Sequence, residues 1–314
     1  MTASSIAVAE PGARLEGPRR GARLREAFRS RRLIAGTCIV GFFVLAGLIG
    51  PFFTGNPNQI GGPQYAAPSA HYWLGTTQTG QDVFAQLVVS TRASLEIGVG
   101  AALLAMVVSI LIGITGGYAG GIVDDILSLL SNVVLVIPTL PLVIVILAYV
   151  KSNGLLPLIV IIALTSWAAS ARVLRAQTLS VRNREYVLAA RASGERLWRI
   201  VLVEIMPNEL PVIVSNFIFS MIFAILTQAA LAFIGLGDPT LLTWGNMLNI
   251  GYSDEALSVG AWWWIIPPGL CIALLGMGLA LVNFSLDELL NPRLRRYRPR
   301  TSAARSRRGP AGTA

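Results

Sequence analysis

Residues 185–208 read EYVLAARASGERLWRIVLVEIMPN, a polar and basic stretch that lies between two long apolar runs, 155–173 and 211–234. Each run has about the 20 residues that a helix needs to cross the hydrocarbon core of a bilayer. The composition agrees with this interpretation, because 54% of the 314 residues are hydrophobic and only 13% are charged, against about 25% charged in soluble domains. The chain is therefore predicted to be an all-α membrane protein, in which residues 185–208 connect two spans.

This connection has the local pattern of two short helices. Residues 182–191 are rich in helix formers, and Gly194 then allows a sharp change of direction because glycine tolerates positive φ. Apolar residues follow at the spacing of one face of a second helix: Leu197, Trp198 and Val201. We expect Pro207 to end this second helix before the next span, because proline lacks the backbone N–H that a helix interior requires.

Apolar runs of spanning length recur along the chain. They cover residues 33–53, 94–116, 126–150, 155–173, 211–234 and 261–284. Pro138 and Pro141 interrupt the third run, and such a break either lines a pathway or is a packing kink. Glycines are frequent in the second and sixth runs, where small residues allow helices to pack closely in lipid. Six transmembrane helices are therefore predicted, with both chain ends on the same side of the membrane.

Basic residues indicate the orientation of these spans. Twenty-three of the 25 Lys and Arg residues lie in three blocks: eight within 14–32, seven within 172–199 and eight within 293–308. Because cytoplasmic loops carry such an excess of positive charge, both ends and the 185–208 connection are predicted to be cytoplasmic. The loops predicted to face outward are 54–93, 151–154 and 235–260. The same segregation, without an interleaved aromatic and basic platform, argues against nucleic-acid binding.

The residues present exclude several classes of chemistry. The single lysine, Lys151, follows a valine, so the chain has no Gly-Lys-Ser/Thr loop for ATP phosphates. The single histidine, His71, leaves no catalytic triad or metal cluster to assemble. Ion-driven carriers place carboxylates or histidines within their spans, whereas Glu96 lies near a span end and four residues after Arg92, where an ion pair is expected. No enzyme activity and no cofactor are therefore expected on this chain.

The connection between the fourth and fifth runs resembles the coupling loop of permease subunits of ATP-binding-cassette (ABC) importers. The family pattern is Glu-Ala-Ala, three residues, Gly, and then Pro thirteen residues after the Gly. Ala189, Ala190, Gly194 and Pro207 match this pattern, whereas Leu188 stands where the family usually has Glu. The resemblance implies a loop through which a subunit without ATPase activity responds to ATP hydrolysis on a partner. An amphipathic helix lying on the membrane surface is the alternative for the same residues.

Two further stretches are similar to the dipeptide and oligopeptide subgroup of these permeases. Residues 71–95 read HYWLGTTQTGQDVFAQLVVSTRASL, where the subgroup has His, two residues, Leu-Gly-Thr-Asp, two residues and Gly-Arg-Asp-Val. Thr77 and Gln81 replace the usual Asp and Arg, so an opposite-charge pair that would order the loop is absent. The fifth run ends in LTQAALAFIGLGDPTLLTWGNML, with Gln228 in place of the usual Glu. The resemblance covers residues 30–298 with the motifs in family order.

The resemblance implies a fold, an organisation and a function. The fold would be the type I ABC-importer (MetI-like) permease fold, and the chain would form half of a translocation pathway for peptides in a prokaryotic cell membrane. Its parts would be a basic cytoplasmic N-terminal tail (1–32), a first transmembrane helix and external loop (33–93), a permease core (94–290) containing the cytoplasmic coupling loop (174–207), and a basic cytoplasmic C-terminal tail (291–314).

The implied partners are a homologous second permease subunit, two ATP-binding subunits that would hold ATP and Mg, an extracytoplasmic solute-binding protein, and membrane lipid around the spans. The residues expected to act in coupling are Glu185, Ala189, Ala190, Arg191, Gly194, Leu197, Trp198 and Pro207. Asn216 and Gln228 are candidates to line the pathway, and hydrogen bonding between helices is their alternative role.

Other substrates and other classes of protein are also open at this point. Nickel and oligosaccharides are the alternative substrates within the same subgroup. An ion-driven secondary carrier would show mid-span carboxylates or inverted repeats, and a membrane anchor or receptor would show an appended signalling or enzymatic domain. The sequence shows none of these features, so an ATP-driven importer permease is the favoured interpretation.

Overall fold

The computed structural model describes residues 30–150 and 154–290, and its regular elements are helices. The predicted C-terminal tail and nearly all of the predicted N-terminal tail lie outside the described residues. In chain order the helices are α1 (Arg31–Ile49), α2 (Val83–Ser109), α3 (Thr115–Ala119), α4 (Gly121–Val136), α5 (Thr139–Tyr149), α6 (Leu155–Val181), α7 (Glu185–Ala192), α8 (Leu197–Arg199), α9 (Met206–Phe233), α10 (Trp244–Ser253) and α11 (Ile266–Leu290).

Helices long and apolar enough to span a membrane account for the six predicted runs. Five are continuous: Arg31–Phe52, Val83–Ala119, Leu155–Val181, Leu197–Phe233 and Trp262–Glu288. The helices α4 and α5 pass the same test together but meet at an angle of 88°, so the number is six when this bent pair counts as one span. The predicted class, an all-α protein with six membrane spans, is confirmed on that count.

The second span begins earlier than its apolar run. The side chain of Asp82 accepts a hydrogen bond of 2.9 Å from the backbone N–H of Phe84, which caps α2 at its first residues. The first three turns of α2 bury polar residues within the protein: Gln86, Ser90 and Thr91. The prediction that residues 83–93 belong to an external loop is therefore wrong, because hydropathy does not detect a helix that buries polar side chains against protein.

The break in the third span lies between α4 and α5, at the first of its two prolines. Ile137 is extended (φ −79°, ψ 123°), as expected for a residue that precedes proline and avoids the helical region. Pro138 then serves as the N-cap of α5, and Pro141 lies within its first turn, where the missing N–H has no helical partner to lose. The change of direction is therefore a consequence of Ile137-Pro138.

Close packing of small residues holds the bundle together. The helix α2 contacts both α6 and α9, and α1 packs against α11. At Gly113, in the π-helical turn that follows α2, a methyl group would collide with the backbone carbonyl oxygen of Ala171 on α6. A methyl group at Gly117 would also be crowded, by the Thr178 side chain and the Arg175 carbonyl oxygen of α6. The end of the second span therefore lies directly against the backbone of α6.

The two ends of the bundle differ in character. We call the end that carries residues 182–199 the loop end, and the end that carries residues 54–82 and 235–260 the opposite end. At the opposite end the indole N–H of Trp263 donates to the Thr76 carbonyl (3.3 Å), and the Tyr65 hydroxyl donates to the Asp254 carbonyl (3.0 Å). These bonds fix the long loop onto the start of the last span and onto the end of α10.

Neutral hydrogen bonds order the loop where the charged pair of the family is missing. Thr77 is fully buried, and its hydroxyl accepts a bond of 3.1 Å from the Gln81 N–H. The Gln81 side chain in turn accepts a bond of 2.8 Å from the amide of Gln86 on α2. The predicted ion pair between Arg92 and Glu96 is present at 2.8 Å, with both side chains about half exposed.

Candidate functional site

The loop end contains the predicted coupling loop, which begins with α7. Helix formation starts at Glu185, three residues later than predicted, and ends at Ala192. Glu185 lies in the first turn and Arg191 in the last turn, an arrangement of charges that favours the helix dipole. The helix is therefore stabilised locally even though most of its surface is exposed.

Gly194 reverses the chain directly after α7. Its φ is +74°, the positive value that its position predicts. Its N–H bonds the Arg191 carbonyl at 3.1 Å, and the N–H of Glu195 bonds the Ala190 carbonyl at 3.2 Å. This pair of bonds is the Schellman motif, in which glycine is preferred because a side chain disfavours the left-handed conformation. The change of direction between α7 and α8 is thus built on Gly194.

The second half of the loop is continuous with the fifth span, contrary to the prediction. The short helix α8 passes into a π-helical segment, Ile200–Ile205, and then into α9 without a break. Pro207 occupies the first turn of α9 and does not end a helix. A proline is compatible with this position because the hydrogen-bond register changes at the end of the π segment, so its missing N–H interrupts no regular α-helical ladder.

One buried side chain anchors α7 to the bundle. Val187 is fully buried in an apolar cluster with residues from four elements: Ile114, Tyr118, Leu174, Val181, Ile200 and Ile205. Ala190, one turn later on the same face, packs against this cluster. Sequence reasoning missed Val187, although its spacing of three residues from Ala190 is a helical signal for a common face. The ends of the second, fourth and fifth spans that lie at the loop end therefore meet around Val187.

Several apolar side chains of the loop are exposed. Leu188, Leu197 and Trp198 are each about half exposed. Partial burial raises the pKa of the Tyr186 phenol above its usual value, so this group is neutral near pH 7. Leu188, which replaces the usual Glu of the family pattern, adds to the apolar surface. An exposed apolar group of this kind on a projecting loop is a feature of protein contact sites.

Arginine side chains connect the loop to the turn between the second and third spans. The guanidinium of Arg191 lies 5.2 Å from the centre of the Tyr118 ring, a cation–π distance. Arg182 donates from Nη1 to the Gly117 carbonyl at 3.0 Å. A groove of about 470 Å³ lies between these arginines and Leu197. The loop and the neighbouring turn therefore form one surface.

The candidate pathway residues lie along α9, away from the coupling loop. Gln228 is 2% exposed, and its amide donates to the Thr243 hydroxyl at 2.9 Å, which joins α9 to the N-cap of α10. Asn216 is half-buried and donates to the Val212 carbonyl of its own helix at 2.9 Å. Gln228 thus makes a hydrogen bond between elements, as its alternative role requires, and a contact of Gln228 or Asn216 with solute stays a prediction.

A polar contact between α9 and α11 was not detected from the sequence. The Ser215 hydroxyl lies 2.6 Å from the Asn283 side-chain oxygen and 2.8 Å from a carboxylate oxygen of Asp287. The signal available was Asn283 and Asp287 at a spacing of four residues, which places them on one helix face. Within the described residues, no group of three or more His, Cys, Asp and Glu side chains could hold a metal ion.

Comparison with known proteins places the chain in a family. Residues 109–296 match the family described as the binding-protein-dependent transport system inner membrane component. The chain is 32% identical over 271 residues to the dipeptide transport system permease protein DppC of Bacillus subtilis (strain 168), which covers 85% of this chain and 84% of that protein. It is 32% identical over 276 residues to the oligopeptide transport system permease protein OppC of the same organism. This match covers 86% of this chain and 88% of that protein.

A third relative is named for a related transport function. The glutathione transport system permease protein GsiD of Pectobacterium atrosepticum is 32% identical over 229 residues, covering 73% of this chain and 75% of that protein. The family match includes the end of the second span, the whole coupling loop and the last span. The chain therefore belongs to the binding-protein-dependent transport system inner membrane component family, and it is a multi-pass membrane permease subunit of the ABC transporter type.

Proposed function

We propose that this chain forms half of the translocation pathway of an ATP-driven importer for peptides. The proposal is based mainly on the structure of the loop end. Two short helices there carry exposed apolar side chains, and the second of them is continuous with a spanning helix. The relatives named for dipeptide, oligopeptide and glutathione transport support a peptide substrate. The same names favour peptides over nickel and oligosaccharides.

The energy for transport comes from partner subunits in this proposal. Two ATP-binding subunits hold ATP and Mg, and each binds the coupling loop of one permease subunit. The apolar group formed by Leu188, Leu197 and Trp198 is suited to a groove on such a partner, where an amphipathic helix is held by its apolar face. Glu185, Ala189 and Arg191 are exposed beside this group and complete the contact surface.

The geometry of the loop end explains how a movement of the loop would be transmitted to the spans. Val187 ties α7 to the ends of the second and fourth spans, and Leu197–Phe233 is one continuous helical segment. A movement of the docked loop is therefore transmitted to three spans. This arrangement makes the inner end of the pathway responsive to closure of the ATP-binding subunits.

The remaining parts of the importer follow from the topology that we propose. Both termini and the loop end are cytoplasmic, because the basic blocks lie there. A homologous permease subunit completes the pathway, and a solute-binding protein delivers peptide at the opposite end. Substrate selection resides mainly in that binding protein, since Gln228 is already engaged by Thr243 and leaves few polar anchors along α9.

Reconstitution tests the proposal. The complete complex in proteoliposomes should take up labelled peptide only with ATP inside and binding protein outside, and it should not take up nickel or oligosaccharide under the same conditions. Exchange of the binding protein should change which peptides enter. The purified chain alone should bind no nucleotide. Stoichiometric ATP binding by the isolated chain, or uptake driven by an ion gradient without ATP, would contradict the proposal.

A further inference from the structure

The helix α4 has few contacts with the rest of the bundle. Only two of its sixteen residues, Asp124 and Ser131, are buried. A face of large apolar residues is exposed instead, listed here in order: Ile122, Val123, Ile126, Leu129, Leu130 and Val133. Some other contact must therefore determine where α4 lies relative to its neighbours.

The main polar contact of α4 is with Arg175 on α6. The Arg175 guanidinium donates from Nε to Asp124 Oδ1 at 2.5 Å and from Nη2 to Oδ2 at 2.8 Å. This paired arrangement fixes the orientation of the two groups as well as their distance. Ser128, one turn later on α4, also donates to Oδ1 at 3.3 Å. The Asp124 carboxylate is thereby satisfied although its residue is only 8% exposed.

Apolar packing beside this ion pair is incomplete. A cavity of about 130 Å³ separates α4 from α6 and from the π-helical turn after α2, and Leu127, Ser131, Ala171 and Arg175 are among its lining residues. Close apolar contact begins further along α4, where Val134 packs against the cluster that contains Trp167. At the loop end, α4 is thus positioned by a hydrogen-bonded ion pair across a gap.

The turn before α4 is short and is held on both sides by arginine contacts. Gly120 and Gly121 both have positive φ (+69° and +57°), so the chain reverses within two residues. Arg182 binds the Gly117 carbonyl on one side of this turn, and Arg175 binds Asp124 on the other. Arg175 lies in the last two turns of α6, and Arg182 is the residue that directly follows this helix and leads into the coupling loop.

We propose that the Asp124–Arg175 ion pair is a positioning contact that makes α4 move with α6 and the coupling loop during the transport cycle. The proposal rests on the proposed function, because it requires a loop that is moved by ATP-binding subunits. Its consequence is that the bent span changes position whenever the loop does. The bend at Ile137-Pro138 then allows α4 to move while α5 keeps its contacts with the opposite half of α6.

The first test compares ATP hydrolysis with uptake in the reconstituted complex. Asp124→Asn and Arg175→Gln should each assemble and hydrolyse ATP, but peptide uptake per ATP should fall roughly tenfold, within the range seen for residues that carry coupling. The exchanged pair, Asp124→Arg with Arg175→Asp, should recover part of this loss. The matched control is Glu96→Gln, which removes the exposed ion pair with Arg92 and should leave uptake per ATP unchanged.

The second test measures movement directly and stays informative if the exchanged pair does not assemble. Spin labels are placed at Leu129→Cys on α4 and Val173→Cys on α6, both exposed, after replacement of Cys38 and Cys271. The distance between the labels should stay the same with and without ATP when Asp124 is present, and it should change with ATP in the Asp124→Asn variant.

Two outcomes would overturn the proposal while leaving the proposed function intact. One is a wild-type complex that transports peptide normally and whose label distance changes with ATP. The other is an Asp124→Asn variant with normal uptake per ATP at normal assembly. Failure of the wild-type complex to transport peptide would instead count against the proposed function, so the two failures are distinguishable.

Discussion

Thr178 and Glu209 join α6 to α9 through a contact of 2.8 Å between Oγ1 and Oε1 in the core of the loop end. The same Thr178 hydroxyl lies 2.9 Å from the Leu174 carbonyl oxygen. A hydroxyl has one proton to donate, so both contacts are satisfied together when Glu209 carries a proton and donates it to Thr178. Glu209 is fully buried, and its Oε2 makes no hydrogen bond within the described residues. The geometry thus favours a neutral carboxyl group, since a buried, unpaired charge is costly.

The first prediction follows from this geometry. Glu209→Gln should leave the thermal stability of the purified protein close to wild type, because the amide donates to Thr178 without a charge. Glu209→Ala should lower the free energy of unfolding by roughly 1–3 kcal/mol, since it leaves a cavity and removes the contact. Thermal unfolding in detergent measures both. Equal loss in the two variants would show that Glu209 is required in its ionised form.

The second prediction concerns the close approach of the second span to α6. Gly113→Ala should lower stability by roughly 1–3 kcal/mol, the usual range for an inserted group in a packed interior, because its methyl group would meet the Ala171 carbonyl. Gly41→Ala on α1 is the matched control, since nothing lies within 4 Å of that position. It should be neutral or stabilising because alanine is the better helix former. Equal effects of the two substitutions on thermal unfolding would mean that Gly113 is not at a tight contact.

The features that could be predicted from the sequence are those with a local cause. Long apolar runs locate the spans, and the position of Gly194 after a helix predicts its positive φ. The prediction that Pro207 ends a helix is wrong for a reason that is also local. No residue pattern indicates the change to π-helical hydrogen bonding that precedes this proline. Such a change lets a proline lie just inside a helix that would otherwise end.

The contacts between distant residues could not be obtained in this way. Asp124 and Arg175 are 51 residues apart, and nothing in either local pattern identifies the other as its partner. Val187 becomes an anchor only because three spans end around it. Asp124 and Glu209 also show why a scan for charges in mid-span is insufficient, since both are buried near the loop end rather than at a span centre.

The third prediction tests the orientation of the spans. Ser69 lies in the long loop of the opposite end and Ser193 in the coupling loop, and both are exposed. After Cys38 and Cys271 are replaced, Ser69→Cys should react with an impermeant thiol reagent in intact cells, and Ser193→Cys should react only after the membrane is opened. Labelling of position 193 from outside would reverse the proposed topology, whereas labelling of neither position in opened membranes would show that the reagent is excluded.

The fourth prediction concerns the reversal between α7 and α8. Gly194→Val should uncouple uptake from ATP hydrolysis without unfolding the spans, because a β-branched residue is strained at a φ of +74°. The strain should be local and of order 1–3 kcal/mol. No heavy atom lies within 4 Å of the position that a Cβ would occupy, so the effect comes from the backbone and not from a collision. We expect near-normal insertion, weaker binding of the ATP-binding subunits and loss of uptake.

Gly194→Asn is the control that separates backbone strain from any other effect of a side chain at this turn. Asparagine adopts the left-handed conformation more readily than other residues with a side chain, so this variant should retain most uptake while Gly194→Val loses it. The assembled complex, the ATPase rate and peptide uptake should be measured for both. Normal uptake with Gly194→Val at normal expression would mean that residues 185–207 are not the coupling element. Equal loss in both variants would assign the effect to the side chain, because the partner surface at Trp198 and Leu197 would then be blocked rather than rotated.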